Sequence, residues 1–166
     1  FTTSPQPYHE DHSTRFPGQN RDAANHLLTW LSEHCPLSQF VLCGHSEGGD
    51  LVFNAAVSHT GSVCQVVTID APLKGVDRSL VSVGPFEFEE LAYFRGCESW
   101  PLDDKCEAIR FYASLGESPI ISEQVENQTI WLKEHNVEVF NASNQRDPLV
   151  GPKQAILENS DKRVEN

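Results

Sequence analysis

The sequence predicts an α/β fold: a doubly wound, mostly parallel sheet with helices between its strands. Three observations carry that expectation. Helix-like and strand-like segments alternate with short connections from residue 21 to residue 69, the order that builds parallel sheets. The apolar runs at 40–43 and 63–69 are continuous rather than alternating, as suits strands buried on both faces. Between them, Gly44-His45-Ser46-Glu47-Gly48-Gly49 passes from strand-like to helix-like sequence without a spacer.

In chain order, residues 1–20 contain Pro, Ser and Gln without an apolar period and read as loop, with His9 and His12 solvated in it. Asn20 is placed to cap a helix over residues 21–34. Its Ala24, Leu27, Leu28 and Leu31 recur at i, i+3, i+4 and i+7, which predicts one face packed on a sheet. Cys35-Pro36 ends it. A strand at 40–43, the glycine-serine turn, a helix at 51–58, the break at Gly61 and a strand at 63–69 follow. Residues 76–119 then interrupt the rhythm and read as a helical cap or lid inserted into one domain spanning 1–166. Val83-Gly84-Pro85 turns, 86–94 is aromatic and acidic, and Asp103 is placed to cap a short helix over 105–115. Phe86, Phe88, Tyr93, Phe94, Trp100, Phe111 and Tyr112 gather here, either as an apolar wall against a substrate or as the insertion's own core. Ser122 is placed to cap a helix to His135, 137–141 reads as a third strand, and 152–157 begins another helix before a polar tail.

At 166 residues the chain is long enough for one domain with a real core and too short for two. Twelve basic against twenty-four acidic residues give a net charge of −12, which argues against nucleic acid or an anionic membrane surface as partner. No apolar run approaches the roughly 20 residues of a membrane span. The first residue is Phe1 and there is no Met, so the chain reads as a piece incomplete at both ends, and the compartment is not fixed. Five cysteines show no Cys-x-x-Cys spacing, so no zinc ribbon or redox motif is expected. Cys43 and Cys64 lie in apolar runs and read as buried small hydrophobes. Cys97 and Cys106 flank a turn and would form a local disulfide if the protein is secreted. No ligand spacing for a metal and no phosphate-cradling loop with its lysine is present, so no cofactor is expected. Two sequons occur, at Asn127 and Asn141; the second ends a presumed buried strand, where a glycan is not expected.

A serine hydroxyl is a weak nucleophile at its free pKa and must be presented sharply to a base and to oxyanion donors. A strand–turn–helix with Ser46 at the turn does this, and Gly44 and Gly48 are expected where strand and helix backbones crowd. The backbone N–H of Glu47 is placed to serve as one oxyanion donor at the helix N-terminus. The alternative reading of this stretch is a glycine-rich turn with an idle serine.

Gly44-His45-Ser46-Glu47-Gly48-Gly49 resembles the Gly-His-Ser-x-Gly-Gly of lipases and esterases in the α/β-hydrolase superfamily, with Glu47 where those often carry Met. Thr68-Ile69-Asp70-Ala71-Pro72-Leu73-Lys74-Gly75 resembles the Thr-x-x-x-Pro-x-x-Gly stretch that follows in lipase-like members. The resemblance implies a serine hydrolase cleaving a small-molecule carboxylic ester, lipid esters among them, through an acyl-enzyme on Ser46, with an acid after a later strand. Asp147-Pro148-Leu149-Val150 matches the Asp-x-x-Val form of that acid. Asp70 is the competitor, because some lipases place the acid at the end of the preceding strand. The family's order is Ser, acid, His, and no histidine follows Asp147. His9, His12, His26, His34, His45, His59 and His135 all precede it, and none is placed as a base. Two readings follow: a piece of a serine hydrolase whose base lies outside it, or a hydrolase-like module that binds without turnover. Thioesterase and acyltransferase chemistry use the same machinery.

Overall fold

The computed structural model describes residues 17–76, 115, 119–144, 147, 150 and 152–165. The described elements run α1 (Pro17–His34), β1 (Phe40–His45), α2 (Glu47–Ser58), β2 (Val63–Ile69), α3 (Pro119–Glu134), β3 (Glu138–Ser143), α4 (Pro152–Ala155) and β4 (Lys162–Glu165). Most of the expected cap at 76–119 lies outside the described residues, with its aromatic cluster, Cys97 and Cys106. His9 and His12 lie outside them too.

Helix starts are set by proline more than by side-chain caps. α1, α3 and α4 begin at Pro17, Pro119 and Pro152, where a missing N–H removes nothing the first turn would use and φ is already helical. The expected starts behind Asn20 and Ser122 are therefore late by a turn: both residues lie inside helices. α3 ends at Asn136, which takes φ 61°. There the Asn136 N–H reaches the Lys133 carbonyl and the Val137 N–H reaches the Leu132 carbonyl, each at 3.0 Å. That pair of bonds is a Schellman closure, and Val137 packs in the same buried cluster as Leu132.

All four strands pair in parallel in the order β1-β2-β3-β4. The polar sequence of β4, Lys-Arg-Val-Glu, predicts no strand. It forms because Phe140 to Ser143 offer an edge, and all four of its residues stay exposed. Phe53 and Ala56 of α2, Val66 of β2, Val125 and Leu132 of α3, Val139 of β3 and Leu157 form one buried cluster. Leu28 of α1 joins it, and α1 packs chiefly on α2 rather than on the sheet as its apolar stripe suggested.

The described helices thus share one face of the sheet, so the second helical layer of a doubly wound fold is not seen among the described residues. Residues on the other face are less covered: Val41 is 58% exposed, Cys43 is exposed, and their neighbours Val67 and Phe140 are half-buried. Cys43 is not the buried hydrophobe expected, because β1 is an edge in the described sheet and Cys43 points to that open face. Cys64 is half-buried, its thiol 3.5 Å from the Phe40 carbonyl.

Two polar clusters close the covered side. Asn141, buried, donates to the Thr68 hydroxyl at 3.0 Å and the Ala155 carbonyl at 2.9 Å, and accepts the Leu157 N–H at 3.1 Å. Its amide is fully engaged, so this sequon offers nothing to a glycosyltransferase. Glu126 of α3 accepts Lys74 Nζ at 2.5 Å, the Glu158 and Asn159 N–H groups at 3.0 and 3.1 Å, and Asn159 Nδ2 at 2.8 Å. Burial alone would raise this carboxyl, but the hydrogen bonds from Lys74, Glu158 and Asn159 and the Lys74 charge outweigh it and hold it below its ordinary value.

Asn136→Ala is expected to lower stability by about 1 kcal/mol, since only Gly and Asn tolerate the left-handed cap easily, while Asn136→Gly should be neutral or stabilising; urea denaturation checks both. For Glu126, the folded carboxyl titrates below the unfolded one. Its stabilisation is therefore complete above the ordinary carboxylate range and is lost as pH falls through the lowered value. Glu126→Gln should flatten that part of the acid limb and cost about 3 kcal/mol at neutral pH, because Lys74 is left charged and only 9% exposed. Melts between acid and neutral pH read both effects.

Candidate active site

The turn at Ser46 has no loop. β1 ends at His45, α2 begins at Glu47, and Ser46 alone joins them with φ 54° and ψ −129°. A non-glycine residue takes such angles only where its surroundings impose them. Its N–H donates to the Ile69 carbonyl at 2.8 Å, extending the β1–β2 ladder by one bond. Its carbonyl accepts the Gly49 N–H at 2.9 Å and starts the helix. The side chain has no capping bond to the helix.

Two glycines make the turn possible, and one of them is not the expected one. A Cβ on Gly44 would lie 2.1 Å from the Gly48 carbonyl oxygen. A Cβ on Gly49 would lie 2.5 Å from the Ala71 Cβ. A Cβ on Gly48 would meet nothing within 4 Å. Strand and helix therefore approach most closely between Gly44 and the backbone of Gly48, whose own side-chain position faces open space. The requirement expected at Gly48 falls on Gly49, the second glycine of the pair.

Because the strands are parallel, their carboxyl ends share one edge of the sheet, where chemistry in open α/β sheets is sited. Ser46 follows β1, Asp70 follows β2 and Asp147 follows β3. Glu47 is the first residue of α2, so its N–H belongs to the positive end of that helix beside Ser46. Asp147 is half-buried in a turn, its N–H donating to the Asn144 carbonyl at 3.0 Å and its Oδ1 accepting the Val150 N–H at 2.9 Å. Asp70 has φ 45°, donates its N–H to the Ala142 carbonyl at 2.9 Å and accepts the Asn144 N–H on Oδ1 at 2.5 Å. Both candidate acids thus stand at the edge that carries Ser46, and Asp70 is bonded into the loop of the other.

The described histidines are elsewhere or turned away. His34 and His135 close α1 and α3, each ring against a tryptophan one turn back (stacked on Trp30 at 4.2 Å, tilted against Trp131 at 4.1 Å), with Nδ1 at 2.8 Å from its carbonyl. His59 caps the far end of α2, where burial lowers its pKa and the Asn25 carbonyl partly offsets this. His26 is exposed on α1, and His45 is exposed on the uncovered side of β1.

No family model matches this chain, and no curated protein sequence matches it significantly. Solved structures do. A lipase of Bacillus licheniformis, BlEst2 in mature form, superposes with a TM-score of 0.59 at 15% identity over 93% of this chain and 68% of its own. A lipase-esterase related protein of Clostridium acetobutylicum gives 0.56 at 14% over 90% and 66%. A putative aryl esterase of Burkholderia cenocepacia gives 0.54 at 13% over 88% and 62%. At such identities the likeness is one of fold: the chain is similar in architecture to these lipase and esterase structures. This chain spans about two-thirds of the length of these proteins.

Gly44→Ala is expected to cost about 3 kcal/mol or more, since backbone atoms rather than a side chain block the added methyl. Gly48→Ala, in a helix with open space around it, should instead gain about 0.5–1 kcal/mol. Denaturant unfolding of the two variants side by side gives opposite signs.

Proposed function

We propose that this chain carries the nucleophile and the acid of a serine hydrolase that cleaves a carboxylic ester through an acyl-enzyme on Ser46. The observation that carries the proposal is the backbone of Ser46, held at φ 54° between a strand end and a helix start. That strain has no structural use in a simple βα connection and suits a serine that must be presented to a substrate.

In the proposed sequence, a base removes the Ser46 hydroxyl proton as Oγ attacks the ester carbonyl. The oxyanion forms against the Glu47 N–H at the helix N-terminus, where donors need no reorganisation. Collapse expels the alcohol, which takes the proton back from the base, and water repeats the steps to release the acid. Asp147 is assigned to orient the base and stabilise its cationic form. No histidine follows Asp147 in the sequence, so the base is assigned to a histidine that this chain does not carry. Small-molecule esters, lipid esters among them, are the proposed substrates, supported by the lipase and esterase structures that share the fold. The region that would select among them, 76–119, lies largely outside the described residues. The acidic balance, −12, supports the proposal that nucleic acid is not a partner.

The second reading, a hydrolase-like module that binds without turnover, is favoured by one observation, the lack of a histidine placed as a base among the described residues. A fluorophosphonate probe separates the two. In the natural protein at full length, Ser46 should be labelled and Ser46→Ala should abolish labelling. An unlabelled Ser46 in a folded full-length protein would select the binding module.

A further inference from the structure

The end of β2 touches both halves of the candidate site. Ile69 accepts the Ser46 N–H at 2.8 Å, and Ala71 lies against Gly49 in the first turn of α2. Asp70, between them, reaches the other way. Its N–H bonds to Ala142 at the end of β3, and its Oδ1 accepts the Asn144 N–H at 2.5 Å. The Asn144 carbonyl in turn accepts the N–H of Asp147 at 3.0 Å, and Asp147 closes its own turn through Val150. A continuous chain of hydrogen bonds therefore runs from the nucleophile's backbone, through 69–70, to the acid's backbone.

Asp70 makes this connection in the left-handed region, at φ 45°. Asp and Asn enter that region more readily than other side-chain-bearing residues, but it is still sparsely used. Strain of this kind persists where neighbouring contacts fix it and gathers at functional sites. In that conformation one residue offers its amide to β3 and its carboxylate to the loop beyond. A glycine would satisfy the backbone and lose the second contact.

We propose that Asp70 is a positioning residue: its carboxylate pins the Asn144–Asp147 turn and so sets where Asp147 stands relative to Ser46. The assignment rests on the hydrolase reading above. It also gives Asp70 a role distinct from that of a competing acid. An acid that holds an imidazole must be ionised and correctly shaped, and the amide analogue fails because it selects the wrong tautomer. A pin needs only an oxygen acceptor at Oδ1, which asparagine retains.

The test uses the natural full-length protein with p-nitrophenyl acetate as substrate. Asp70→Asn should keep kcat within about threefold, since the acceptor survives. Asp70→Ala and Asp70→Gly should lower kcat by about 10- to 100-fold with KM little changed, the size expected when a reacting group is displaced by a fraction of an ångström to an ångström. Asp70→Gly relieves the backbone, so a loss shared with Asp70→Ala belongs to the carboxylate and not to strain. Asn144 amide exchange should speed in both.

Wild-type kcat in a folded Asp70→Ala protein would overturn the proposal. So would an inactive Asp70→Asn beside an active Asp147→Asn, which would make Asp70 the acid. If Asp70→Ala and Asp70→Gly do not fold, the wild-type protein still decides: the Asn144 amide hydrogen must exchange well below the rate of a free peptide, and exchange at the free-peptide rate overturns the pin. Failure of the hydrolase reading shows separately, as a wild-type Ser46 that does not react with fluorophosphonate.

Discussion

The close approach of β1 to the first turn of α2 is the constraint on which the other features of the site depend. Strand and helix meet with one residue between them, and the space left at Gly44 is smaller than a methyl group because the Gly48 carbonyl fills it. Ser46 has no room to relax into an ordinary turn, and it takes a backbone conformation that side chains avoid. The crowding that fixes the Ser46 backbone also sets the helix start one residue later, so the positive end of α2 lies beside it.

The surrounding packing makes this strain tolerable. α2 is held between α1, α3 and the β1–β2 pair, and Phe53, Ala55 and Ala56 are buried on its inner side. The Ser46 N–H completes the parallel ladder with Ile69, so the strained residue is also a hydrogen-bonded one. Farther along the edge, Glu126 collects the loop after β2 and the turn before β4 around one carboxylate. Asn141 does the same for β2, β3 and the chain after α4. These polar centres fix connections that an apolar cluster, being non-directional, would leave loose.

Parallel pairing gives the second half of the site. Three strands in one direction put Ser46, Asp70 and Asp147 on a common edge although they are far apart in sequence. The segment 69–71 is bonded or packed against both neighbours, which makes the end of β2 the member through which the two halves share a frame.

The alternation of periodic segments determined the existence and order of α1, β1, α2, β2, α3 and β3, because apolar spacing is a local property. Ser46 as the turn residue was legible for the same reason. α1 and α3 begin at Pro17 and Pro119 and not behind the polar caps Asn20 and Ser122, a signal that is present in the sequence. β4 was not legible: Lys-Arg-Val-Glu has no apolar pattern and becomes a strand only because β3 presents an edge to it. The exposure of Cys43, the demand on Gly49 rather than Gly48, and the bond from Asp70 to Asn144 were likewise decided by tertiary structure. Each depends on which distant backbone lies opposite, and the spacing of residues along one segment carries no information about that.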